Sequence, residues 1–254
     1  MSSNLAIKKA MLAYAKQHGI EAPPLNVTTL PGRIVWGQGA RTLAWRVSGH
    51  MRKAHHKAVT QSASKTDALC RILFPETHVI RHDYHAVHKS GTRSLSAIWW
   101  IVLHDMEVTA YNTAAESVGS YFEQKSSGGS TNYGDDNNSI QQYLADSVIP
   151  WGAPNANTHG LHVEQMGKAT WSRKEWLDKA AGTLDNTAWL LAKKSKQLGI
   201  PLTTLTDAQL KAGHKGVTTH RQCTRVFGGT HTDPGTGFPL DVVMAQARKY
   251  RRAM

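Results

Sequence analysis

Three histidines and one aspartate, split between two distant segments, are the residues of this chain best suited to chemistry. The first segment, A-I-W-W-I-V-L-H-D-M-E from Ala97 to Glu107, carries seven apolar residues without a break and then His104. The second, T-T-H-R-Q-C-T-R-V-F-G-G-T-H-T-D-P-G from Thr218 to Gly235, offers His220, His231 and Asp233 in a stretch rich in Gly and Thr. Two His and one Asp brought together from separate segments make a three-ligand zinc site with one position left for water. Each residue also has a plainer reading. A lone His at a strand end is most often structural, and Asp233 before Pro234-Gly235 is good turn sequence.

The elements that must position these groups follow from periodicity. Ala97–Leu103, rich in aromatic and β-branched residues, predicts a strand buried on both faces, with His104 where it emerges. Thr218–Gly235 is expected to be a loop. T-A-A-E at Thr113–Glu116 has capping-box spacing and predicts a helix to about Lys125 with Val118, Tyr121 and Phe122 on one side. Asn132 to Leu144, split by the turn-rich D-D-N-N, predicts two strands in a hairpin, and Val148–Trp151 another short strand. Gly160–Gly167 predicts a strand that carries Glu164 among apolar neighbours. A second capping box, S-R-K-E at Ser172–Glu175, opens the longest helical pattern, to about Leu198 with a break near Gly182. Its Trp176, Ala180, Leu184, Ala188 and Leu191 form the face for the sheet. Pro239 opens a last helix. Strands and helices alternate around one sheet, which makes this part α/β.

Charge divides the 254 residues differently. Residues 1–95 hold 14 Lys/Arg against 4 Asp/Glu, whereas residues 96–254 hold 16 against 14. The basic excess lies in an N-terminal region, 1–77, expected to be mainly helical over Asn4–His18 and Ala40–Ala58, with a short helix to Leu73 after a polar Q-S-A-S-K-T break and E-A-P-P-L-N-V-T-T-L-P-G an extended connector. Such an excess attracts anionic polymers. His50, His55 and His56 read as part of a solvated basic face, since adjacent His55 and His56 do not share a helix face. Cys70 and Cys223 are the only cysteines, which is no disulfide framework. The first residues lack the apolar core of a secretory signal and no run reaches the length of a membrane span, so a cytoplasmic chain without membrane insertion is expected.

With these segments in order, residues from about His78 to Tyr250 resemble the zinc-dependent N-acetylmuramoyl-L-alanine amidases of the peptidoglycan-recognition-protein fold. The branch found in lysins of actinobacterial phages is the nearest in pattern. The motifs that carry the resemblance are I-V-L-H-D-M-E, D-N-N-S-I, W-G-A-P-N-A-N, G-L-H-V-E-Q-M-G, G-V-T-T-H and H-T-D-P-G-T-G-F-P. The resemblance implies a mixed sheet flanked by helices over 78–254, and zinc held by His104, His220 and Asp233. Zinc with two neutral imidazoles and one carboxylate would lower the pKa of its water to about 7. Glu164 falls on the family's E-x-x-G position and is implied as general base. A Glu in an apolar strand is expensive to bury, and placement beside metal or water resolves that cost. His231, where many relatives carry Lys, is implied to stabilise the oxyanion. Asn132 stands where relatives commonly have His, in S-T-N-Y for S-A-H-Y. Cys223, three residues after His220, reads as a small buried residue. His159 and His162 are candidate substrate contacts.

The function implied is a phage endolysin that cleaves the amide between N-acetylmuramic acid and the L-alanine of the stem peptide in host peptidoglycan. It would act as a monomer, be retained in the host cytoplasm until a holin-type opening, and be drawn to anionic wall polymers by residues 1–77. One rival is a non-catalytic peptidoglycan-binding protein on the same fold, which the retained His104, His220 and Asp233 oppose. The other is a nucleic-acid binder, which lacks interleaved aromatics and a recognisable motif.

Overall fold

A computed structural model describes Lys16, residues 27–30 and 33–36, and residues 78–254. The chain divides between Thr77 and His78 into two units. In the first, β1 (Val27–Leu30) and β2 (Arg33–Trp36) pair antiparallel, with Val27 opposite Trp36 and Leu30 opposite Arg33. A hairpin therefore replaces the plain connector expected here, because β-forming residues flank Pro31-Gly32 on both sides. The helices expected over Asn4–His18 and Ala40–Leu73 lie outside the described residues, apart from helical Lys16.

The second unit is built on a mixed six-stranded sheet in the order β3-β6-β5-β7-β4-β8. Its strands are β3 (Ile80–Arg81), β4 (Trp100–Asp105), β5 (Tyr133–Asp135), β6 (Ile140–Gln142), β7 (Gly160–Gln165) and β8 (Gly216–Thr219). Only the β5–β6 hairpin is antiparallel. Six helices accompany it: α1 (Ala114–Phe122), α2 (Arg173–Lys179), α3 (Ala181–Leu198), α4 (Asp207–Lys211), α5 (His220–Phe227) and α6 (Leu240–Ala253).

All six residues of β4 are buried, as its apolar run predicts. Alternation sends Ile101 and Leu103 into the larger core, against Leu184, Ala188 and Leu191 of α3 and Val243 and Met244 of α6. Trp100 and Val102 face the other way, against Leu205, Leu210 and Cys223. Each fully buried Leu or Ile contributes about 1.5–3 kcal/mol, so this two-sided burial fixes β4 in register. His104 belongs by parity to the Trp100–Val102 face. The strand starts later than its apolar run, because Leu95–Ala97 forms a 3-10 turn capped by the Ser94 side chain.

The Ser172 capping box forms with both of its hydrogen bonds, and the helix breaks at Ala180 into α2 and α3. Trp176, Ala180, Leu184, Ala188 and Leu191 are all buried, as their spacing predicts. Three expectations need correction. Thr113 makes no capping bond to α1; the Ala115 N–H donates instead to Asp136 Oδ2 from the β5–β6 turn. Glu116, freed from the box, accepts from Gln141 Nε2. Val148–Trp151 is no strand, only a single bridge from Val148 to Thr92, with Pro150 lacking an N–H to continue it. Thr218–Gly235 is not simply a loop: Thr219 ends β8 and caps α5 through Gln222 N–H, so His220 is the first residue of a helix.

Candidate metal centre

Parallel pairing places His104 of β4 directly beside Glu164 of β7. Same-register residues on adjacent strands share a face, so both side chains emerge at the same end of the sheet. β8, on the other side of β4, hands over to α5 and brings His220 to that end. The segment after α5 returns Asp233, anchored where its carbonyl accepts from Arg221 N–H at 2.7 Å. The Asp233–Pro234 peptide is cis.

The ligand atoms of His104, His220 and Asp233 lie within 4.8 Å of one another, and all three residues are buried. His104 Nδ1 is 3.2 Å from Asp233 Oδ2, and His220 Nδ1 is 3.1 Å from Asp233 Oδ1. Burial, opposed by Asp233, holds the His104 imidazole below its ordinary value, in the neutral form that ligates metal. Burial alone would raise the Asp233 carboxyl; hydrogen bonds from His104 and His220 outweigh it and keep the group ionised.

Glu164 Oε1 is 4.0 Å from His104 Nδ1, and its side chain is 14% exposed. Its Oε2 has no hydrogen-bond partner. Burial, then the charges of Asp233 and Asp105, push this carboxyl well above the usual range. Asp105, beside His104 in sequence, is pushed up to about 8 by burial, and its Oδ2 is likewise without a partner. Three carboxyl groups in one cleft, two with unpartnered buried oxygens, and two imidazoles turned toward the same carboxylate gather nitrogen and oxygen donors around one point. That donor set fits a divalent cation.

His231 stacks on His220, ring centroids 4.1 Å apart, with Nδ1 3.6 Å from Asp233 Oδ1. It is 59% exposed, at the cleft mouth rather than in the buried cluster. Cys223 is buried and its thiol pushed up to about 12 by burial, so it is the inert small residue expected.

His159 and His162 are not substrate contacts. His159 Nδ1 bonds the Ala97 carbonyl oxygen at 2.7 Å and its ring lies flat on Trp99. His162 is fully buried, and its Nδ1 is 2.8 Å from His104 Nε2. That hydrogen bond orients the His104 ring, and a metal on Nδ1 would leave the proton on Nε2, directed at His162. A Cβ at Gly152 would sit 2.5 Å from His162 Nδ1 and one at Gly160 2.5 Å from Nε2, so glycine at both positions makes room for the imidazole. Asn132 does not reach the cluster: it donates to the Ala145 and Val148 carbonyl oxygens and accepts from His162 N–H. The signal that could have found His162 is its place two residues before Glu164, on the same strand face.

No curated protein sequence matches the chain. Among solved structures, the Staphylococcus aureus hydrolase AmiA, in complex with its ligand, is similar at 18% identity, with a TM-score of 0.56 over 76% of this chain and 94% of that one. That likeness supports the fold. A mutant endolysin from Bacillus subtilis matches at 17% identity and a TM-score of 0.47, over 68% of this chain and 99% of that one. The family model for N-acetylmuramoyl-L-alanine amidase matches residues 94–236, more than half of the chain and the whole span from β4 to Asp233. With its buried histidines and carboxylates gathered within that span, this chain belongs to the N-acetylmuramoyl-L-alanine amidase family.

Proposed function

We propose that this amidase is a zinc-dependent endolysin of a phage infecting actinobacteria, cutting between N-acetylmuramic acid and L-alanine from inside the host. The convergence of His104, His220 and Asp233 beside a part-buried glutamate carries the reading. When bound there, zinc supplies a Lewis acid at which water ionises near neutral pH.

The protein's residues do the rest. His104 and His220 present their imidazoles, and Asp233 keeps its charge between them. His162 holds the His104 ring in orientation. Glu164, with its high proton affinity and unpartnered Oε2, takes the proton of the attacking water and returns it to the leaving nitrogen of L-alanine. His231, at the mouth, donates an N–H to the oxygen that becomes negative on the scissile carbonyl. Residues 78–254 act as the catalytic domain of a monomer. Residues 1–77 concentrate it on anionic wall polymers, an attraction screened over about 8 Å at physiological ionic strength.

Mass spectrometry of digested peptidoglycan, alongside metal analysis of the purified chain, tests this. Free N-terminal L-alanine on released stem peptides and one zinc per chain are expected. Cleavage of a glycosidic or inter-peptide bond would overturn it.

A further inference from the structure

The cleft that holds the metal-ligand cluster extends well beyond it, to a volume of about 900 Å³. Every His, Asp and Glu of its lining lies at the cluster end. The other arm, formed by the C-terminal half of α1, the 127–131 loop and Trp151, contains no charged side chain. Ser90, Ser127, Ser130 and Thr131 contribute hydroxyls there, and Tyr121 and Trp151 contribute aromatic rings.

Both rings are exposed, Trp151 by 45% and Tyr121 by 46%, where large hydrophobic side chains are ordinarily covered. Neither is loose. The indole stacks on His88 at 4.6 Å, and its Nε1 donates to Ser90 Oγ at 2.7 Å. His88 is itself tied to the Lys125 carbonyl oxygen. The Trp151 main chain is held by Ser130 from both sides, and the Tyr121 hydroxyl donates to the Ser127 carbonyl oxygen. Each ring has its polar tip occupied within the protein and a face left to the cleft. Rigid aromatic surfaces of this kind lose little entropy on binding.

We infer that this arm is a saccharide subsite, in which Trp151 and Tyr121 receive the apolar faces of N-acetylated pyranose rings of the glycan strand. The inference rests on the amidase reading above for where the strand comes from, and on the arm itself for the chemistry. A glycan strand whose lactyl carboxyls are amidated is uncharged, with hydroxyls around apolar ring faces, and it matches a wall of hydroxyls and ring faces. A stem peptide, with its free carboxylates and amines, would call for charged partners that this arm lacks.

The test titrates the full chain with a β-1,4-linked N-acetylglucosamine tetramer by calorimetry, then compares KM for glycan-linked and free N-acetylmuramoyl peptides. The native chain should bind the tetramer. Trp151→Ala should weaken that binding roughly tenfold, the size of one aromatic face contact, and raise KM more for the glycan-linked substrate than for the free one. Trp151→Phe and Tyr121→Ala carry the same comparison should Trp151→Ala fail to fold, and Trp151→Phe should recover part of the affinity. Absence of tetramer binding by the native chain at millimolar concentrations would overturn the inference, as would an equal rise in KM for both substrates. The titration needs no hydrolysis, so a chain that binds the tetramer but cuts no amide would refute the amidase reading and leave the subsite standing.

Discussion

The two halves of the metal centre are held by different physics. His104, His162 and Glu164 sit on adjacent parallel strands whose hydrogen-bond register sets their separations, with apolar residues packed beneath. His220, His231 and Asp233 come from a helix start and the segment after it, and are held by a threonine cap, one backbone hydrogen bond and their contacts with each other. Burial does not follow the same division: His104, His162, His220 and Asp233 are all buried, while His231 is mostly open. The strand half is built before any ligand arrives. The helix-and-loop half depends on Asp233 as its common partner.

The most severe test of that division is loss of a ligand from the strand half. His104→Ala should reduce zinc content below stoichiometry and wall lysis to background, with added zinc failing to restore either. Chelation of the native chain should abolish lysis reversibly. Full lysis by His104→Ala with one zinc bound would break the assignment.

Glu164→Gln keeps the strand geometry and removes the proton carrier. Turnover should fall by roughly 10²–10⁴ while metal content is unchanged, as measured by metal analysis and dye release from walls. Metal loss in this variant would move Glu164 into the coordination set.

At the cleft mouth, His231→Ala should lower turnover by about 10²–10³ and leave zinc in place. His231→Lys should recover part of the activity with an altered pH profile. Near-normal turnover in His231→Ala would remove that residue from the mechanism.

His162 separates holding a ligand from being one. His162→Ala should weaken zinc affinity by about 10–100-fold in chelator competition, with the metal-loaded enzyme retaining measurable turnover. An unchanged affinity would mean that the packing of β4 alone orients His104.

The smallest effect is expected at Asp135, a buried strand carboxyl outside the centre that accepts from Thr187 Oγ1. Burial raises it well above 3.8, so between pH 3.8 and its folded value the native state binds the extra proton. Its contribution is therefore present below that window and is lost as pH rises through it. Asp135→Asn cannot ionise and should be the more stable protein at pH 7.5, with the difference shrinking toward pH 4 in urea titrations. A variant less stable at both pH values would mean that the carboxyl is needed as such.

Much of this was legible before the fold was known, wherever local pattern and tertiary outcome coincide. The buried run before His104 could only be a central strand, and the Ser172 box with its apolar stripe could only be the helix that covers the sheet. The order of the motifs was enough to identify the family, and three residues they single out, His104, His220 and Asp233, lie together in the structure. Tertiary contacts decided the rest. Thr113 makes no cap, and Asp136, 21 positions on from Ala115, accepts from the Ala115 N–H at that helix end instead. His162 reads as a substrate contact in one dimension and is a buried partner of His104 in the fold, because strand register sets it against that ring. The saccharide arm has no sequence signature: Tyr121 and Trp151 are 30 positions apart, and only the folded chain turns two ordinary aromatics into adjoining faces of one cleft. Periodicity reports which side of an element is apolar; which polar atoms meet across elements depends on register and loop closure, and those are properties of the assembled sheet.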